Sequence, residues 1–184
     1  MDLYFLQILI KRKFMNLNSS IKKFWWFALP ILFLSFSVNI AIAGAFEDGA
    51  QAAARNDFAS AYKLWLPLAE NGEKKAQHNL GVMYNNGLGV AKDYKAAMKW
   101  YQLAAAQGYP DSQNNIAVLY DKGLGVTANT AEAFDWYQLS ASQGFAEAQH
   151  NLGVMYFEGK GISIDNDKAY KWFKAASDQG HLGA

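Results

Sequence analysis

The chain has no cysteine at all. Disulfides, thiolate metal sites and a cysteine nucleophile are therefore excluded together. Only three prolines interrupt its 184 residues, which favours helices over a loop-rich fold. It also lacks an excess of either charge, with 17 Lys and Arg against 16 Asp and Glu. Without surplus cations to displace counterions, binding to nucleic acid through bulk charge is not expected. Aromatic residues are plentiful by contrast, at 15% of the chain.

That balance is uneven along the sequence. Residues 24–43, FWWFALPILFLSFSVNIAIA, carry no charge and follow Lys22 and Lys23 directly. Ala41-Ile42-Ala43 places small residues at the −3 and −1 positions, so Gly44 would begin the mature protein. Basic start, apolar middle and small-residue site together read as a secretory signal peptide over residues 1–43, exporting the protein to a periplasm or beyond. The alternative is a retained anchor in the inner membrane, since a run of this length could span a bilayer. Pro30, Ser35, Ser37 and Asn39 thin that run and favour cleavage. Met15 gives a more compact leader than Met1 and reads as the working start. Residues 44–184 alone carry a net charge of −3.

A strict repeat organises the remainder. AQHNLGVMYNNGLGV from Ala76 aligns with SQNNIAVLYDKGLGV from Ser112 and AQHNLGVMYFEGKGI from Ala148. KWYQLAAAQG, DWYQLSASQG and KWFKAASDQG then coincide, ending on Gly108, Gly144 and Gly180. The units are 73–108, 109–144 and 145–180, without insertion. Each reads as two helices. Ala76, Leu80, Met83 and Tyr84 lie on one face at helical spacing, and Gly87-Leu88-Gly89 ends that helix. Asp93, Asn129 and Asp165 hold the N-cap position of the second helix. That helix carries Ala97, Trp100, Tyr101 and Ala104 on one side and stops at Gly108. Small Gly81, Ala117 and Gly153 admit close helix approach, and Trp100, Trp136 and Trp172 fill the space between layers. Residues 44–72 form a divergent capping pair, with a short helix over 46–55 and with Asp57, Ala61, Trp65 and Gly72 in repeat register.

These residues carry a resemblance. The pattern A-x3-LG-x2-Y-x2-G-x-GV-x2-D-x6-WY-x5-QG is similar to Sel1-like repeats, a branch of the tetratricopeptide-like solenoids. It covers residues 46–180, with Ile116-Ala117 replacing Leu-Gly in the second unit and Lys160 interrupting the Gly-x-Gly loop of the third. The resemblance implies an all-α, right-handed superhelical solenoid that displays a binding surface. It also implies an alternative function, because cysteine-rich Sel1-like relatives are linked to β-lactam or cell-wall peptide hydrolysis. The missing cysteines weaken that transfer.

The residues offer little chemistry of their own. His78 and His150 share one position, filled by Asn114 in the middle unit, and lie 72 residues apart, so no metal-binding histidine pair sits on one helix. Ser60-x-x-Lys63 matches the S-x-x-K spacing of penicillin-recognising enzymes but lacks a K-T-G partner. The Gly-x-Gly loops follow helices rather than strands, which excludes a phosphate cradle. Gln77, Gln113 and Gln149, with Asn79, Asn115 and Asn151, are expected to bond backbone or neighbouring amides between layers, with a ligand role as the alternative. No catalytic residue, cofactor or metal is expected.

The function expected is a non-catalytic scaffold of the cell envelope, binding a protein or peptide along the solenoid. Opposite the Leu80 position lie His78, Val82 and Asn85, repeated as Asn114, Val118 and Asp121 and as His150, Val154 and Phe157. This stripe is the expected recognition face. The alternative is that the valines only touch the adjacent layer. His181 to Ala184 begin a fourth unit, so Trp172 and Phe173 are expected to present an uncovered face. Either the reading frame is truncated there or the end docks onto a partner or a second copy.

Overall fold

The computed structural model describes residues 44–181 and 183. The signal peptide or anchor over residues 1–43, and the choice of start, lie outside the described residues. Ala45–Ala184 form a compact unit of their own. Among the described residues there are eight helices and no strand. They are α1 (44–54), α2 (Phe58–Glu70), α3 (Lys74–Asn86), α4 (Tyr94–Ala106), α5 (Pro110–Lys122), α6 (Thr130–Ser142), α7 (Ala146–Glu158) and α8 (Asn166–Ser177).

Helix boundaries follow the local chemistry. The side chains of Asp57, Asp93, Asn129 and Asp165 each accept backbone N–H bonds in the first turn of α2, α4, α6 and α8. These are the caps expected from the repeat register. At the far end of α4, Gly108 N–H donates to the Ala105 carbonyl and Tyr109 N–H to that of Ala104. That pair of bonds satisfies the last carbonyls and turns the chain sharply into α5.

The loop between paired helices needs two glycines for different reasons. Gly87, Gly123 and Gly159 terminate the first helices in left-handed conformation. Gly89, Gly125 and Gly161 are also left-handed. A β-carbon there would press onto the start of the preceding layer's second helix, at Phe58, Tyr94 and Thr130. The second glycine thus lets each loop lie against the layer before it.

Packing runs in layers. Ala52, Trp65, Leu68, Ala76, Leu80 and Met83 close the first core cluster, against which Trp100 packs. Ala97, Met98, Tyr101, Ile116 and Leu119 form the next. Ala117, Tyr137, Ala141, Leu152 and Met155 form the third, with Trp136 and Trp172 against it. The tryptophans therefore do bridge layers. The small positions serve a more local purpose: a β-carbon on Gly81 would overlap the Tyr101 ring of the same repeat, and one on Gly153 would lie 2.7 Å from Phe173.

Candidate interaction surface

The expected recognition stripe is placed on a seam between layers. His78 sits between Tyr101 of its own repeat (ring centroids 5.8 Å apart) and Tyr109 of the next (5.0 Å). Its Nδ1 lies 2.9 Å from the Ser112 hydroxyl, also in the next repeat. Asn114 is 1% exposed, and its Oδ1 accepts from Asn151 Nδ2 at 3.2 Å. Asp121 faces Lys160 of the third repeat, with Nζ 2.8 Å from Oδ1 and 2.9 Å from Oδ2. Val82 packs against the cluster holding Ile116 and Leu119, and Val118 against that holding Leu152 and Met155.

The expectation that all nine residues share one exposed face is therefore corrected. A helical wheel distinguishes only the two sides of one helix. In the stack, a first helix meets its own partner and also the layers before and after it. His78 and Asp121 turn toward the following layer. Asn114 is closed to any ligand, and His78, Val82, Asn85, Val118, Asp121, His150 and Val154 are half-buried. Phe157 alone of the nine is exposed, at 60%. The most open line on the first helices passes through Lys75, Asn79, Val82 and Asn86, and repeats as Glu147, Asn151, Val154 and Glu158 in α7.

Both imidazoles are held below the usual histidine pKa. For His78 burial is the chief cause, partly opposed by Asp111. For His150 burial again dominates, and His181, stacked 4.7 Å away, adds to it against the opposing charge of Glu147. His150 also meets the Phe173 ring at 5.5 Å. Each imidazole is thus a packed aromatic in the seam. Tyr84 donates or accepts a 2.9 Å hydroxyl contact with Tyr62, which pushes its pKa up to about 12.

The amides behave as structural links, and one set of them was not visible in advance. Gln77, Gln113 and Gln149 donate to the carbonyls of Ala69, Ala105 and Ala141 in the preceding layer. Each accepts in turn from Gln107, Gln143 or Gln179, at 2.8, 2.6 and 2.8 Å. The second set follows directly from the Gln-Gly that closes every repeat; the sequence signal was present as a spacing but had no assigned partner.

Ser60 lies in the first turn of α2, where its N–H donates to Asp57 Oδ1 at 3.1 Å. No hydrogen bond joins it to Lys63 among the described residues. No three His, Asp or Glu side chains converge there as metal ligands, and no described helix is long and apolar enough to cross a membrane.

At the last layer the expected pair Trp172 and Phe173 is only half-buried rather than uncovered, because Trp172 packs onto the third cluster and Phe173 lies on Gly153. The exposed apolar side chains are instead Phe157, Ile164 (64%) and Tyr170 (69%). Tyr170 and Phe173, with Lys174, Ser177 and Asp178, line an open cavity of about 400 Å³ along α8.

Comparison with known proteins agrees with this architecture. A family profile for the Sel1 repeat matches residues 74–109, 110–145 and 146–181, one residue downstream of the units read from the sequence. Among solved structures, the chain is similar to a protective antigen of uropathogenic Escherichia coli that displays an SLR fold. The two are 36% identical with a TM-score of 0.72, over 76% of this chain and 31% of that one. It is also similar to a Sel1 repeat protein from Oxalobacter formigenes, at 30% identity and a TM-score of 0.70, over 73% of this chain and 56% of the other. The chain thus spans about a third and about half of the length of these two relatives. The cysteine rich protein B of Helicobacter pylori shares the fold at 17% identity, with a TM-score of 0.54, over 67% of this chain and 89% of that one. A search of curated proteins gave no match. Three registered helix pairs, their caps and these likenesses lead to one assignment: the chain belongs to the Sel1 repeat family, whose members are typically protein-interaction scaffolds.

Proposed function

We propose that this protein is a non-catalytic scaffold of the bacterial cell envelope that binds a protein or peptide partner along the first helices of its repeats. The observation that carries the reading is the repetition of Asn79, Asn115 and Asn151 beside Val82, Val118 and Val154 at a constant 36-residue spacing, on half-open positions. An extended peptide or a helix can use such a series, because amides offer both donors and acceptors and valines offer apolar contact. Of the stripe first expected, Val82, Val118 and Val154 stay in this surface at its edge, and Asn114 leaves it. Export is supported by the basic, apolar and small-residue pattern of residues 22–43.

The test is site-directed photocrosslinking in living cells. A photoreactive residue replaces Asn86, Lys122 or Glu158 on the first helices, or Gln102, Gln138 or Lys171 on the second. One discrete protein adduct from all three first-helix sites, absent from the second-helix sites, is the expected outcome. Equal labelling from both sets, or none, sinks the proposed surface. Cell fractionation checks export independently: a chain retained in the cytoplasm at its full length overturns the envelope assignment.

A further inference from the structure

A small cavity of about 120 Å³ lies on the first-helix line between α2 and α3. Phe58, Trp65, Val82, Met83 and Leu88 wall it, and Asn79 supplies its polar edge. In the later layers the same amide is engaged. Asn115 bonds the hydroxyl of Tyr101, which stands one period after Trp65, and Asn151 donates to Asn114 at 3.2 Å. Trp65 has no hydroxyl, and its indole N–H donates to the Phe46 carbonyl at 3.1 Å. The Asn79 amide is thereby left without a hydrogen-bond partner among the described residues. Charge along the line also changes sign across the layers. Its end positions hold Lys75 in α3, Asp111 and Lys122 in α5, and Glu147 and Glu158 in α7. Exposed Lys74 adds to the first of these, while Glu73 is turned back to cap α3. The line is therefore basic beside the cavity, balanced in the middle and acidic two layers on.

From the cavity, the free amide and this gradient we infer that the partner presents an extended segment of defined charge order. It seats a leucine or methionine in the cavity, carries acidic residues beside that anchor, and carries basic residues further along. The inference rests on the scaffold reading and specifies its ligand. An apolar cavity of this size takes up one aliphatic side chain more readily than water. The Asn79 amide then offers a donor and an acceptor to the peptide backbone beside the anchor. A bound helix would leave that amide unused, because its own backbone groups are already paired. The acidic residues meet Lys74 and Lys75, and the basic ones meet Glu147 and Glu158. Packed helices lie roughly 10 Å apart and an extended chain advances about 3.3 Å per residue, so the two charge groups stand about six residues apart. Exposed charges of this kind set the direction and register of binding more than its strength.

The experiment titrates two short fluorescent peptides of identical composition against the protein purified as the expressing cells leave it. One peptide has leucine beside a pair of aspartates, with a pair of lysines at the far end. The isomer has leucine beside the lysines. Anisotropy at low salt should show the first peptide binding about fivefold more tightly, because the isomer can fill the cavity only by setting lysines against Lys74 and Lys75. Replacing the leucine by alanine should weaken the first peptide about tenfold. Exchanging the charges, with Lys74→Glu, Lys75→Glu, Glu147→Lys and Glu158→Lys, alters exposed positions only. That variant should reverse the preference while the far-ultraviolet dichroism stays unchanged. Equal affinity for the two isomers, a preference that survives the exchange, or no binding at millimolar peptide overturns the inference. Any of these with the first-helix crosslinks intact removes the charge order and leaves the scaffold reading standing. Crosslinks from the second helices sink that reading instead, so the two failures are told apart.

Discussion

Lys160, in the loop of the third repeat, reaches back to set its ammonium 2.8 Å from a carboxylate oxygen of Asp121 in the second. Lys160 is the residue that breaks the Gly-Leu-Gly pattern, and Asp121 stands where the first repeat has Asn85 and the third has Phe157. Two departures from the repeat therefore compensate one another across a layer boundary.

Asp121 is only 16% exposed, whereas Lys160 is 41% exposed. Lys160→Met should cost about 1 kcal/mol, because it leaves a largely covered carboxylate without its partner. Asp121→Asn should cost less, since an amide tolerates the site and the lysine can return to water. A double-mutant cycle by urea unfolding should give a coupling of about 0.5–1 kcal/mol that shrinks in high salt. A coupling indistinguishable from zero would reduce the pair to a surface contact.

Gly81→Ala should be destabilising by about 1–3 kcal/mol, despite the better helix propensity of alanine, because the new methyl overlaps the Tyr101 ring. That ring cannot easily retreat: it is 1% exposed and lies against His78. The opposite change in the middle repeat, Ala117→Gly, should lose about 1 kcal/mol through helix propensity. Thermal melts of the two variants would show the contrast, and a neutral Gly81→Ala would mean the layer has slack.

Most of the fold was legible because periodicity and caps are local. Asp57, Asp93, Asn129 and Asp165 could be placed as caps from their position before an apolar series, and each is one. The interaction surface was less legible. Which side of a first helix meets the next layer depends on the angle between layers, and no residue of a single repeat encodes it. His78 and Asn114 consequently looked outward on a wheel and are packed inward in the stack. A contact over 31 or 37 residues, such as His78 with Tyr109 or Asn114 with Asn151, joins positions in different repeats and has no signature within either.

Acidification should loosen the layers. The folded state holds His78 and His150 with lowered pKa, so the unfolded chain takes up protons first as pH falls. Their contribution is complete above the usual value of 6.5 and declines as pH drops toward the folded values. Urea midpoints measured from pH 7.5 down to about 5 should therefore fall with a slope that His78→Asn makes shallower. Asparagine is the residue the middle repeat already uses there. An identical slope in that variant would remove His78 from the account.

Cutting the glutamine links should be costlier on the first helices than on the second. Gln77→Leu removes two interlayer bonds at once, to the Ala69 carbonyl and from the Gln107 amide, in a site where Gln77 is 4% exposed. A loss of about 1–3 kcal/mol is expected. Gln107→Ala, at an exposed position, should lose under about 1 kcal/mol. Hydrogen exchange at the ends of α2 and α4 would report the local opening, and equal costs would contradict a directional link.

The same glutamines also limit how the stack can deform. Apolar contact has no preferred direction, so two layers held by it alone would glide over one another with little resistance. A hydrogen bond of 2.6 to 2.8 Å tolerates rotation far better than stretching. Because every glutamine link lies at the ends of the second helices, sliding is blocked along that edge, while tilting about it is opposed only by the separate seam contacts of His78, Asn114 and Asp121. Under load the array would behave as a row of plates hinged on one side, able to open and close its curvature while keeping each plate opposite its neighbour.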